Sequence, residues 1–304
     1  MNALRYLIVF FIFGAYLSQT LPLCAEGGHI RYPAVAGAFY PYDAERLSKM
    51  IDGYLQDAGQ VDVKGDIVGI VAPHAGYQYS GPVAAYAYKA LAGRKYDTVV
   101  IIGVNHRMEG FRDISIYKEG LFKMPFGNVP VDAEYAQGIM SEQPKKFVYE
   151  PDAHAEEHSV EVQIPFLQKV LAGDFKIVPI VMGDYSTPVI QKLAEAIIKH
   201  ADGKKVLVVA SSDLSHDKGY DTACTMDRQA IEAAAALDIA GVVANESSGK
   251  TEMCGYGPVL TLMCIAKEKG LPGGKILKYA NSGDTTGDKY GRIVGYGAVV
   301  FSKE

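Results

Sequence analysis

The sequence predicts a single α/β domain over residues 30–302, with a central mixed, mostly parallel sheet flanked by helices. Two observations carry that expectation. Apolar strand-like runs alternate with helical patterns from about residue 30 onward, and no internal repeat, low-complexity tract or Pro/Ser-rich linker divides the chain. The composition agrees: 304 residues, 49% hydrophobic and 21% charged, suffice for a large core without disulfide staples. Disordered, collagen-like and coiled-coil classes are thereby excluded. With 30 basic residues against 35 acidic, a net charge of −5 and no basic block, a nucleic-acid partner is not expected.

The elements follow in order. Residues 1–25 read as a signal peptide: Arg5, an apolar run from Tyr6 to Leu17, Pro22, then small residues at Cys24 and Ala25. The run is shorter than the roughly 20 residues that span a bilayer, and no later stretch is long and apolar enough. The expectation is therefore an exported protein, periplasmic or extracellular, anchored to the membrane only if cleavage after Ala25 fails. Removing the segment leaves Cys224, Cys254 and Cys264, an odd number that cannot all pair internally. Cys264 lies in an apolar helical run and reads as a small buried hydrophobe.

Strands are expected at 67–72, 98–103, 114–117, 176–182, 206–210, 276–279 and 293–301, the last antiparallel because no helix follows it. Helices are expected at 44–56, 82–91, 133–141, 159–171, 188–200, 226–237 and 258–269. Asp43, Asp132 and Thr187 stand where caps are needed, and Pro82, Pro188 and Pro258 suit first turns. Segment 103–130 reads as a rim or hairpin excursion.

Three of the seven histidines follow strand runs by a few residues: His74, His106 and His216, the last with Asp213. Ligand crevices of open α/β sheets lie beyond the carboxyl ends of the strands, so parallel strands would bring these four residues to one edge. Imidazoles and carboxylates gathered from separate loops make a metal or acid–base site. Glu157 and His158, just before an amphipathic helix, are candidates to join it. His154 and Glu161 read as ordinary helix-start chemistry. Cys254, in a glycine-rich turn entering a helix, is a candidate thiolate, because a helix N-terminus lowers a thiol pKa. Ser211-Ser212-Asp213 lacks a G-x-S-x-G elbow, and no P-loop, dinucleotide fingerprint or H-E-x-x-H is present. The tyrosine-rich stretches 39–42 and 77–88 read as core, with a pocket wall as the alternative.

These residues resemble a known family. Ala72-Pro-His-Ala-Gly-Tyr77, Asn105-His106, Glu157-His-Ser-Val-Glu161, Ser211-Ser-Asp-Leu-Ser-His216 and Cys254-Gly are similar to the motifs of the Memo family, whose prokaryotic members are called AmmeMemoRadiSam system protein B. The opening 31–40 and closing 294–298 also match. The resemblance implies a fold like that of class III extradiol dioxygenases, which use non-haem iron. It implies His74, His106 and Cys254 as metal ligands, Asp213 and His216 as the remaining wall, and proteins of an AmmeMemoRadiSam system as partners.

Cys254 stands where the dioxygenases supply a carboxylate, so a two-His-one-carboxylate triad is not reproduced and ring cleavage is not implied. A thiolate suits copper or redox-active iron better. The export signal is a second departure, since Memo-like proteins are expected in the cytoplasm. The leading expectation is a metal-binding, redox-active protein with iron or copper, in which His216 carries protons, held or charged by Asp213, and Glu157 or His158 supports the ligands from behind. The alternatives are a module that binds a peptide or small ligand without turnover and, ranked lower, a metal-dependent hydrolase.

Overall fold

The computed structural model describes residues 29–201 and 203–303; the expected signal peptide, with Cys24, lies outside the described residues. β1 (Ile30–Arg31) leads through a strap, residues 32–43, to α1 (Ala44–Asp57), which Asp43 caps by accepting from the Arg46 N–H at 2.9 Å. β2 (Asp66–Ala72), α2 (Tyr77–Lys89) and β3 (Thr98–Val104) follow. The excursion then supplies β4 (Ile114–Ile116), β5 (Leu121–Met124) and β6 (Gly127–Pro130), and ends at α3 (Ala133–Ser141), capped by Asp132. Next come β7 (Phe147–Val148), α4 (Asp152–Ala155), α5 (His158–Glu161) and α6 (Ile164–Val170). The alternation resumes with β8 (Lys176–Met182), α7 (Thr187–Lys199), β9 (Val206–Ser211) and α8 (Tyr220–Ala235). α9 (Ile239–Ser247), α10 (Tyr256–Glu268), β10 (Lys275–Asn281), α11 (Ser282–Thr286) and β11 (Gly295–Lys303) complete the domain.

Eight strands form one mixed sheet in the order β10-β11-β2-β9-β3-β8-β4-β7. The central four, β2, β9, β3 and β8, are mutually parallel, while β11 pairs antiparallel with both β10 and β2. Both faces are covered, which is why the central strands read as unbroken apolar runs. Along β3, Val99 and Ile101 pack toward α1, α2 and α6, whereas Val100 and Ile102 pack toward α3, α7 and α10. β1, β5 and β6 form a separate three-stranded sheet, which makes the excursion a hairpin pinned to the N-terminal strand. No helix among the described residues is long and apolar enough to cross a membrane.

Several local expectations are corrected. The helix expected over 159–171 is broken into α5 and α6, because Pro165 cannot donate to the Glu161 carbonyl and the Gln163 N–H turns back to Val160 O at 3.3 Å. Pro82 lies inside α2, five residues past its start, so the helix begins at Tyr77 on an uncapped Gly76. α7 begins at Thr187 itself, so Thr187 is not its cap, and the N-cap Ser186 makes no side-chain bond. α9 carries no clear apolar stripe in the sequence and was not expected. Cys264 is only half-buried, facing a groove between α7, α9 and α10.

Candidate metal centre

The parallel core of the sheet delivers the site. β2 pairs in register with β9 (Ala72 with Ser211) and β9 with β3 (Ala210 with Ile102), so their carboxyl ends lie side by side. Just beyond them stand His74, His106, Asp213 and His216. Cys254 arrives from the other direction, immediately before α10. The approach is close: a Cβ on Gly255 would lie 2.3 Å from Ser211 O and 2.3 Å from Ser212 Cβ, so only glycine lets this turn sit on the end of β9.

The donors converge. His74, His106 and Cys254 each offer a ligand atom within 4.8 Å of the others. His74 is 2% exposed, its Nε2 3.0 Å from Cys254 Sγ and its Nδ1 2.8 Å from Ser211 Oγ. His106 sits at the open side and donates from Nδ1 to Glu157 Oε1 at 2.9 Å, while its backbone N–H reaches Glu157 Oε2 at 2.7 Å. That bond leaves Nε2 of His106 as the nitrogen for a metal. His158 stacks on His106 at 4.5 Å between centroids and stands edge-on to His74 at 5.5 Å. The Phe39 ring covers His158 from the strap at 4.8 Å.

Burial sets the charges. Desolvation pushes the His74 pKa down to about 3, reinforced by the neighbouring His106, and pushes His158 down to about 4, so both rings are neutral at pH 7. Glu157 is also buried, which raises its carboxyl. The His106 hydrogen bond and the Ser159 N–H outweigh that and hold it at about 2. Burial, with the Asp213 carboxylate, pushes the Cys254 thiol well above its ordinary range. The lowered pKa expected of a cysteine beside a helix start is therefore reversed. Two imidazole nitrogens, of which His74 is neutral, beside a thiol whose proton is exchangeable for a cation form a donor set that fits a soft or borderline metal.

The remaining expected residues are placed as follows. Asp213 is 3% exposed, and its Oδ1 accepts from the backbone N–H groups of His74 at 2.7 Å and Ala75 at 3.3 Å, while its own N–H donates to Cys254 Sγ at 3.2 Å. It therefore braces the His74 turn instead of holding the His216 ring. The acid facing that ring is Glu252, 3.9 Å from Nδ1 and accepting from the His216 N–H at 3.1 Å. His216 stands at the rim, its side chain 39% exposed. His154 is buried against Ser115 Oγ at 3.0 Å, outside the cluster, as its plain reading required. Tyr77 is core, its hydroxyl donating to Val162 O at 2.6 Å.

Four contributors escaped sequence reasoning: Ser211, Gln163, Glu161 and Arg31. Ser211 Oγ donates to Ser159 O at 2.7 Å and accepts from Gln163 Nε2 at 2.8 Å. Glu161, fully buried, pairs with Arg31 and also takes the N–H of Ala34 at 2.7 Å, the N–H of Val35 at 3.1 Å and the Tyr40 hydroxyl at 2.5 Å. Arg31 in turn donates to Glu157 O at 2.7 Å, so β1 and the Glu157–His158 turn hold each other. The available signal was the polar residue at every second position from Glu157 to Gln163 inside an otherwise apolar helix pattern.

The doubly covered sheet with its cluster at the carboxyl edge defines a single-domain α/β protein of the class III extradiol dioxygenase-like type. The model of the Memo-like protein family matches residues 31–300, and the chain belongs to that family. It is similar to a MEMO1 family protein of Methanopyrus kandleri, 41% identical over 285 residues that cover 90% of this chain and 99% of the relative. A MEMO1 family protein of Pyrobaculum aerophilum is 42% identical over 281 residues, covering 90% and 99%. One from Nitrosopumilus maritimus is 35% identical over 276 residues, with the same coverage.

Proposed function

We propose that the chain binds one redox-active metal ion, iron or copper, through His74, His106 and Cys254. The convergence of these three donor atoms within 4.8 Å carries the reading. Two imidazole nitrogens with one thiolate favour soft, redox-active metals over magnesium or calcium. Such an ion would supply one-electron chemistry at the open edge of the pocket. The protein's own contribution is positional. Glu157 orients His106 from behind and strengthens it as a donor, Asp213 fixes the His74 turn, and Phe39 with His158 keeps one wall apolar. His216, at the rim beside Glu252, is placed to carry protons between pocket and solvent.

Anaerobic metal analysis tests this. The wild-type protein, compared with a variant carrying both His74→Ala and His106→Ala, is expected to hold close to one ion per chain and the variant almost none. Equal content in both would overturn the reading.

A second reading, a non-catalytic module for a peptide or small ligand, is supported by Tyr185, part-exposed and packed on Gly257, three residues after Cys254. Its mark would be ligand binding that survives both His74→Ala and Cys254→Ala. We further propose that the chain is exported, and that its partners are proteins of an AmmeMemoRadiSam system. Cell fractionation and co-purification from the native host test these two points.

A further inference from the structure

We infer that Ser211 is a positioning residue that fixes the tautomer of His74, presenting an unprotonated Nε2 to Cys254 and to a metal. The inference rests on the metal reading above for its consequence, but its geometry stands independently.

The bond count around Ser211 Oγ leaves one solution. A hydroxyl has one proton to donate and two lone pairs. Three partners surround this oxygen: Ser159 O at 2.7 Å, Gln163 Nε2 at 2.8 Å and His74 Nδ1 at 2.8 Å. A carbonyl only accepts, so the serine proton must point to Ser159 O. The orientation of Gln163 is fixed in turn, because its Nε2 also faces the carbonyl of Pro73 at 3.1 Å, while its Oε1 accepts from the Tyr88 hydroxyl. Gln163 Nε2 therefore donates to Ser211. The remaining lone pair can be met only by a proton on His74 Nδ1. The reverse assignment would set two acceptor oxygens against each other at 2.7 Å in a buried place, leaving both uncompensated.

The backbone builds this device. In an unbroken helix the Gln163 N–H would take the Ser159 carbonyl; here it bonds to Val160 O at 3.3 Å. The α5/α6 break thus releases Ser159 O to receive Ser211. Gly103 lets that segment approach β3, since a Cβ there would come within 2.3 Å of Ser159 Oγ. The two histidine donors are consequently unlike: His106 is backed by a carboxylate and His74 by a neutral hydroxyl.

The test reads the tautomer directly, by the side-chain 15N shifts of His74 in metal-free protein, alongside titration with cobalt(II) under anaerobic conditions. In the wild type we expect Nδ1 protonated and Nε2 bare. In Ser211→Ala we expect a mixture of tautomers and cobalt affinity about 10–100-fold weaker, the loss common for a removed partner of a ligating histidine. Ser211→Thr, which keeps the hydroxyl, should restore the wild-type 15N pattern. A wild-type His74 protonated on Nε2 overturns the inference, even if the alanine variant does not fold. So does a Ser211→Ala protein with unchanged tautomer and unchanged affinity. Failure of the wild type to bind cobalt through His74, His106 and Cys254 would instead strike the metal reading, while the 15N arm still decides the tautomer.

Discussion

Glu157 is the residue on which two histidines turn. Its carboxylate receives the His106 ring and backbone and the Ser159 N–H, at 2.9, 2.7 and 2.7 Å, and His158 lies beside it. Glu157→Gln keeps the shape and removes the charge, so metal affinity should fall about 10–100-fold while the fold persists. Isothermal titration together with circular dichroism checks both halves. Unchanged affinity would mean that His106 needs no partner. At this scale the donors themselves were legible. His74, His106, Asp213 and His216 follow apolar runs closely enough to be assigned to strand ends, and Cys254 stood in a glycine-rich turn. Their hydrogen-bond partners were not legible. Ser211, Gln163 and Glu161 act through buried contacts between segments about 50 to 130 positions apart, and no periodicity marks such a pairing. Proximity in sequence also did not say which way the Asp213 carboxylate turns: it accepts from the His74 and Ala75 N–H groups, and Glu252 faces the His216 ring.

Among the elements, the Asp132 corner carries a pH dependence. This carboxylate caps α3 and accepts from Lys204 Nζ at 2.7 Å and from the Thr98 hydroxyl at 2.5 Å. Burial raises its pKa, but the Lys204 and Thr98 bonds outweigh that and hold it below the usual carboxylate value. A group whose folded pKa is depressed stabilises the fold above its unfolded pKa and loses that contribution as pH falls through the folded one. Asp132→Asn keeps a capping oxygen but removes the charge that Lys204 and Thr98 bond, so it should cost about 1–2 kcal/mol at pH 7, and the gap from wild type should close as the solution is acidified below about pH 4. Urea denaturation across pH measures it. A gap that widens with acid would contradict this account. The major strands and most helices were legible from apolar periodicity, with ends displaced by a few residues. The α5/α6 break was not, because the apolar spacing continues through it and only Pro165 interrupts the hydrogen bonding. α9 was missed because only Val242 of that helix is buried, so its sequence shows no stripe.

Across the whole molecule, the N-terminal strand β1 is joined to α5 by the buried ion pair of Arg31 and Glu161. Removing one member of such a pair strands the other charge. Arg31→Ala should therefore destabilise the protein by about 3–5 kcal/mol, measured by chemical denaturation, because it leaves the Glu161 carboxylate buried without its cation. A cost under about 1 kcal/mol would show that the pair contributes little. Metal should also act on the whole fold by mass action. At one hundred times its dissociation constant it adds about 2.7 kcal/mol, enough to raise the melting midpoint by roughly 5 °C for a chain of this size. The rise should vanish in the variant carrying His74→Ala and His106→Ala.

The α/β class and the parallel core were readable from alternating patterns along the chain. The hairpin of β5 and β6 was foreshadowed by the turn-rich excursion, but its pairing with β1 was not, since β1 is two residues long and pairs with β5 across most of a hundred positions. One cation is proposed to sit among His74, His106 and Cys254. Crystals of the protein grown with ferrous iron or copper, measured on both sides of the metal absorption edge, test it most directly. A single strong anomalous peak is expected within bonding distance of His74 Nε2, His106 Nε2 and Cys254 Sγ. A fully loaded crystal whose peak lies elsewhere, or none at this cluster, would contradict it.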